Sequence, residues 1–129
     1  MTLNTKNLDS LLSYEVSKSR RHLRYFSLVM LCLNEAGPKL ASLLRGGVRE
    51  SDSTFFAENA ALVVMGETHK TDAIKAVNRY RDEFCDRFDI RSSVSSFPDD
   101  GLNPGELMSV LRRRLKSSME LDCGAVVTE

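Results

Sequence analysis

The run from Tyr25 to Leu33, Tyr-Phe-Ser-Leu-Val-Met-Leu-Cys-Leu, is the strongest constraint on how this chain folds. It is apolar at nearly every position, so it shows neither the alternation of a half-solvated strand nor the period of an amphipathic helix. It is also far too short to span a bilayer. What remains is a central strand covered on both faces. Such a strand needs partners on its edges and layers against its faces, and the rest of the chain must supply them.

The candidates are easy to find. Phe55-Phe56 and Leu62 to Met65 are β-prone runs around a polar pair, Glu58-Asn59, and an Asn there tolerates the positive φ of a tight hairpin. Ile90 to Phe97 reads as a further strand, and Gly124 to Val127 as a short edge strand. Leu8, Leu11, Leu12, Glu15, Val16 and Leu23 recur at helical spacing with an incomplete apolar stripe. Gly37-Pro38 opens a short helix with Leu40, Leu43 and Leu44 inward, and Gly46-Gly47 ends it. Another helix is predicted from about Thr71 to Phe88, with Ile74, Val77, Phe84 and Phe88 on one face. Asn103 reads as an N-cap with Pro104 at the first helical position, ahead of Met108, Leu111, Leu115 and Met119. The order βαββαβ behind a leading helix predicts a ferredoxin-like α+β sandwich, with helices on one face of a mainly antiparallel sheet. We divide it into a leading helix over residues 1–24 and a body over residues 25–129, together one compact domain. Leu8, Leu12 and Val16 have no place in a minimal sandwich. They pack either on the domain or on a second copy of it.

Composition narrows the function classes. Eighteen basic and eighteen acidic residues cancel, so no bulk field draws the chain to nucleic acid or membrane. The N-terminus lacks a cationic stretch followed by an apolar one, so no secretory signal is expected. Cys32, Cys85 and Cys123 are isolated and odd in number, which suits reduced thiols in a cytoplasm. His22 and His69 have no Cys, Ser or Asp spaced as a metal or nucleophile set would need, and read as solvated. Lys18-Ser19-Arg20-Arg21-His22-Leu23-Arg24 and Arg112-Arg113-Arg114 with Lys116 read as solvated helix faces.

With Arg49-Glu50-Ser51-Asp52 in front of it, the hairpin stretch Phe55 to Met65 resembles the core of a GGDEF (diguanylate cyclase) domain. In that family an Arg-x-x-Asp turn precedes a β-hairpin bearing Gly-Gly-Asp/Glu-Glu-Phe. Here those hairpin positions hold Glu58-Asn59-Ala60-Ala61-Leu62. The run Glu15 to Leu31 is similar to the family's first helix and strand, Ser95 to Gly101 to a later strand and turn, and Glu106 to Leu115 to its last helix. The family's Asp-x-Leu-Thr-Gly-Leu segment is absent, and the connection after Leu33 is shortened.

The resemblance implies a bacterial signalling domain that makes no cyclic di-GMP. The family joins two GTP molecules with divalent metal held by carboxylates, because such metals need hard oxygen ligands. The first-strand ligand position falls at Cys32 and the hairpin acids at Ala60 and Ala61. Glu58-Asn59 replaces the glycines that let backbone approach nucleotide, and Met119 stands where the family has a phosphate-binding Lys. No catalytic residue, metal ligand or cofactor is therefore expected.

The Arg-x-x-Asp turn points elsewhere, since in the family it forms an inhibitory site for cyclic di-GMP. A guanidinium fork can grip guanine or phosphate oxygens, and Asp can accept from guanine N–H donors. The resemblance assigns this site to Arg49 and Asp52, with Arg79 or Arg81 from the following helix. Two readings stay open: a non-catalytic receptor for cyclic di-GMP, and a module that binds no nucleotide and pairs with itself or another signalling protein.

Overall fold

A computed structural model describes residues 5–22, 24–33, 52–56, 60–84, 90–118 and 126–127. The elements are α1 (Thr5–His22), β1 (Phe26–Leu33), β2 (Asp52–Phe56), β3 (Ala60–Met65), α2 (Lys70–Phe84), β4 (Ile90–Phe97), α3 (Pro104–Ser118) and β5 (Val126–Val127). The five strands form one sheet in the order β2-β3-β1-β4-β5. β1 lies at the centre, antiparallel to both β3 and β4, as its continuous apolar run demands. β5 adds a short parallel edge against Ser92 and Ser93. The α+β sandwich is thus borne out. The short helix expected from Pro38, the hairpin pair Glu58-Asn59, and Phe88 and Met119 lie outside the described residues.

The helices cover both faces of the sheet, where one covered face was expected. On one face Val29, Leu31, Ala61, Val63 and Met65 pack with Ala73, Val77 and Tyr80 of α2. On the other, Phe26, Leu28, Met30, Leu62 and Val64 meet Leu107, Met108 and Leu111 of α3. Leu8, Leu12 and Val16 of α1 belong to this second core. The incomplete stripe of α1 therefore packs on the domain itself. The parity of β1 explains the two layers, because successive side chains point to opposite faces and both sets are large and apolar.

Local signals fix the helix ends. Asn103 accepts a hydrogen bond from the Glu106 N–H at 2.9 Å through its side-chain oxygen, and donates to the Glu106 carboxylate at 2.7 Å. This is a reciprocal cap, with Pro104 at the position that needs no N–H donor. α1 ends as the Arg24 N–H donates to the Ser19 carbonyl at 2.9 Å, which satisfies one of the carbonyls left open in the last turn.

β4 is polar by sequence yet buried throughout. Its α3-facing hydroxyls are satisfied by the helix backbone. Ser93 donates to the Leu111 carbonyl at 2.8 Å and Ser95 to the Leu107 carbonyl at 3.0 Å. A two-residue step along a strand, about 6.6 Å, nearly matches the rise of four helical residues, about 6 Å, so the pattern repeats. On the other face Ser27 bonds Ser96 at 2.8 Å and donates to the Thr68 carbonyl at 2.9 Å.

Arg114 departs from the expected solvated face. It is buried at 8% exposure, while Arg112 and Arg113 beside it are exposed. Its guanidinium donates to the Val94 carbonyl at 2.8 Å and to the Asp100 carboxylate at 2.9 Å. Asp100 also accepts from the Ser96 N–H at 2.9 Å and pairs with Lys70 at 3.4 Å. Burial pushes the Asp100 carboxyl up, but the bonds from Arg114 and Ser96 and the charges of Arg114 and Lys70 outweigh it and hold its pKa below the ordinary value. The network ties β4, α3 and α2 at one corner. Replacing Asp100 with Asn strands a buried guanidinium, so Asp100→Asn should cost about 2–4 kcal/mol in denaturant unfolding at neutral pH. Because the folded pKa is depressed, the Asp100 contribution is full above the unfolded value of about 3.9 and fades as pH falls through the lower folded value. The stability gap between wild type and variant should narrow over that acid range.

Candidate functional site

β1 ends where β3 begins, and the antiparallel register decides which side chains meet there. Cys32 lies opposite Ala60, and Leu31 opposite Ala61. Residues directly opposite in such a pair have Cα atoms about 4.5–5.5 Å apart. The structure therefore brings Cys32 and Ala60 together on one face, while the Ala61 side chain turns to the other face and joins the core under α2. The side chains of Ala60 and Ala61 carry no ligating atom, and Cys32 is half-buried. Among the described residues no group of three His, Cys, Asp or Glu side chains could hold a metal ion.

One residue at this corner was missed by sequence reasoning. Arg91 faces Cys32 from the other side, across the β1–β4 ladder. It is buried at 8% exposure and donates to the Ser118 carbonyl at the end of α3, at 3.0 Å. A basic residue inside the otherwise apolar-and-serine strand Ile90–Phe97 was the available signal. A buried guanidinium one strand away disfavours a divalent cation at the Cys32–Ala60 pair.

The proposed recognition residues that are described lie on two elements, Asp52 on β2 and Arg79 and Arg81 on α2. Asp52 is the first residue of β2 and pairs with Met65, whose side chain is in the core under α2. Arg49 lies outside the described residues. Arg79 is exposed on the outer side of α2, its guanidinium 5.4 Å from the Tyr80 ring centre. It lines a shallow groove with Lys75, Asn78 and Asp82. Arg81 is half-buried and pairs with Asp82 through two nitrogens at 3.3 and 3.2 Å. His69 is exposed with its ring centre 3.9 Å from that of Tyr25, and His22 is exposed at the end of α1.

Comparison with solved structures decides the fold. The GGDEF domain of YfiN (TpbB) from Pseudomonas aeruginosa matches with a TM-score of 0.85 and 13% identity, over 95% of this chain and 93% of that one. The active GGEEF domain of a Vibrio cholerae diguanylate cyclase matches at 0.80 and 13%, over 95% and 94%. The GGDEF domain of DgcB from Caulobacter crescentus, a complex with c-di-GMP, matches at 0.83 and 10%, over 95% and 88%. The fold is that of GGDEF domains. No family model and no curated protein matches the sequence. A GGDEF fold here thus rests on structure rather than on sequence. No helix among the described residues is long and apolar enough to cross a membrane.

The Cys32–Ala60–Arg91 row yields a direct test. Cys32→Asp with Ala60→Asp puts two carboxylates on one face of the sheet, but Arg91 is placed to neutralise them. Manganese should raise the melting temperature of that double variant little. Adding Arg91→Ala should enlarge the manganese-dependent rise, which differential scanning fluorimetry would read as the difference between the double and triple variants.

Proposed function

We propose that this chain is a catalytically inactive GGDEF-like signalling domain of a bacterial cytoplasm, a leading helix over residues 1–24 serving a body over residues 25–129. The observation that supports inactivity best is the register at the β1–β3 corner. By the sequence resemblance Cys32, Ala60 and Ala61 fall where the cyclase family has carboxylates, and the register sets Cys32 between Ala60 and Arg91. Hard oxygen ligands are missing where phosphate charge has to be neutralised. Purified and incubated with GTP and magnesium or manganese, the domain should form no cyclic di-GMP above a protein-free control. Turnover that is abolished by mutating a named residue would overturn this.

The regulatory reading is that the domain binds cyclic di-GMP through Arg49, Asp52 and Arg79 or Arg81. Support comes from the exposed Arg79, from the position of Asp52 across from Met65 on the strand nearest the hairpin, and from the c-di-GMP complex of the similar DgcB domain. A bidentate contact to guanine contributes about 1–3 kcal/mol of recognition. Arg49→Ala and Asp52→Ala should each weaken cyclic di-GMP binding by about ten- to a hundredfold in calorimetric titration, with GTP competing poorly. The second reading is a pairing module that takes no nucleotide, bound to a second copy or another signalling protein. The pairing of Arg81 with Asp82 favours it, because that guanidinium is already engaged. No heat and no melting shift with near-millimolar cyclic di-GMP would select it.

A further inference from the structure

The large hydrophobic side chains exposed among the described residues are Tyr14 at 61%, Tyr25 at 39% and Leu102 at 55%. All three border two adjoining hollows at the end of the sheet remote from Cys32. β1 separates the two poles by its full length, about 25 Å for eight residues. The first hollow is an apolar slot of about 260 Å³ whose walls include Tyr25, Phe97, Pro98 and Leu102, with Arg20 and Arg24 among its lining residues. The second, of about 320 Å³, shares Arg24 and is lined by Lys18, Arg21 and His22, with Glu67 as its acidic member.

Some of this charge is spent internally. Arg24 pairs with Glu67 at 2.5 Å, and Arg20 donates to the Leu102 carbonyl at 2.7 Å, which fixes both beside the slot. Arg21 makes no hydrogen bond or ion pair among the described residues. The chain as a whole is neutral, so this cationic excess is local. An apolar slot rimmed by fixed guanidinium groups has the layout of a small interface: a desolvated anchor site with a charged rim.

We infer that this surface docks an acidic protein segment, with one aromatic or long aliphatic side chain in the slot and flanking carboxylates on Arg20, Arg21 and Arg24. Other anionic partners fit less well. Stable attachment to an anionic bilayer draws on a broad basic field, and the chain is neutral overall. A single-stranded nucleic acid needs open aromatic faces, and the Tyr25 ring is already against His69. The inference does not rest on nucleotide binding, and Arg79→Ala should leave it untouched.

The test is a nitrogen-15 NMR titration of the full 129-residue chain with the peptide Asp-Glu-Asp-Phe-Asp-Glu-Asp, capped at both ends. Expected are shifts at Ser19, Arg20, Tyr25 and Leu102 and none at Ala60 or Arg79. Serine in place of the peptide phenylalanine, or Arg24→Glu or Leu102→Ser in the protein, should each weaken binding by about tenfold or more. Both protein positions are exposed, so the variants should melt as wild type does. The inference is overturned by no shift at millimolar peptide, by equal binding of a peptide with lysines for the acids, or by indifference to both protein variants. Tighter binding of phosphatidylglycerol vesicles or an oligoribonucleotide to the same residues would also overturn it.

Discussion

β1 is the element on which every other placement depends. It is hydrogen-bonded on both edges and buried on both faces, so its register cannot slide by one residue without exchanging two different apolar sets. Val29 and Leu31 belong to the layer under α2, and Phe26, Leu28 and Met30 to the layer under α1 and α3. Those sets differ in partner size: alanine, valine and tyrosine from α2 against leucine and methionine from α3. A slipped strand would leave voids on one side and clashes on the other, each costing kilocalories in a close-packed interior. The same register also fixes the row Ala60, Cys32, Arg91. Packing far from the corner thereby determines which side chains meet there.

β4 solves a different problem. A strand with serines on both faces should lose stability on burial, because an unpaired hydroxyl costs about 1–3 kcal/mol. Ser93 and Ser95 avoid that by donating to carbonyls one helical turn apart on α3, and Ser27 and Ser96 satisfy each other. Small hydroxyl side chains also let α3 approach the sheet closely, which larger residues would prevent. Arg91 and Arg114 add anchors in both directions between the same two elements: one reaches from strand to the end of the helix, the other from helix to the strand carbonyl. α3 is thus held by polar bonds along one side and by Leu107 and Leu111 along the other.

Much of this was legible in the sequence, and the exceptions share a cause. Strand Ile90–Phe97, the Asn103-Pro104 helix start and the central place of Leu28 to Leu33 follow from local chemistry: capping geometry, fixed proline φ and uninterrupted hydrophobicity. The two covered faces were implied by the same run yet obscured by the weak stripe of α1, whose Leu8, Leu12 and Val16 find their partners only in three dimensions. Arg114 was misplaced because Arg112-Arg113-Arg114 reads as one polar face. Rotation of about 100° per residue puts the third of these against β4, where Asp100 waits from a turn distant in sequence. Arg91 left a signal, a lone basic residue in the strand, but its acceptor did not, since the Ser118 carbonyl belongs to the backbone and leaves no mark in the sequence. Of the candidate recognition set, Asp52, Arg79 and Arg81 could be placed on elements. Their convergence depends on Arg49 and so on residues beyond those described.

The two poles of the sheet differ in what their charges can do. At the Cys32 pole, Arg91 is buried and committed to the Ser118 carbonyl, so its charge serves cohesion between β4 and α3. A buried guanidinium has to be met by acceptors, and the Ser118 carbonyl is one of them. At the Tyr25 pole, by contrast, guanidinium groups stand at the surface, two held by local acceptors and one without a partner among the described residues, around apolar side chains that the fold leaves uncovered. Charge held rigid at an exposed, half-apolar site contributes little to folding, since surface pairs are worth at most about 1 kcal/mol. It contributes more to a partner that arrives with the opposite sign, because the ordering cost of those side chains has already been met within the fold.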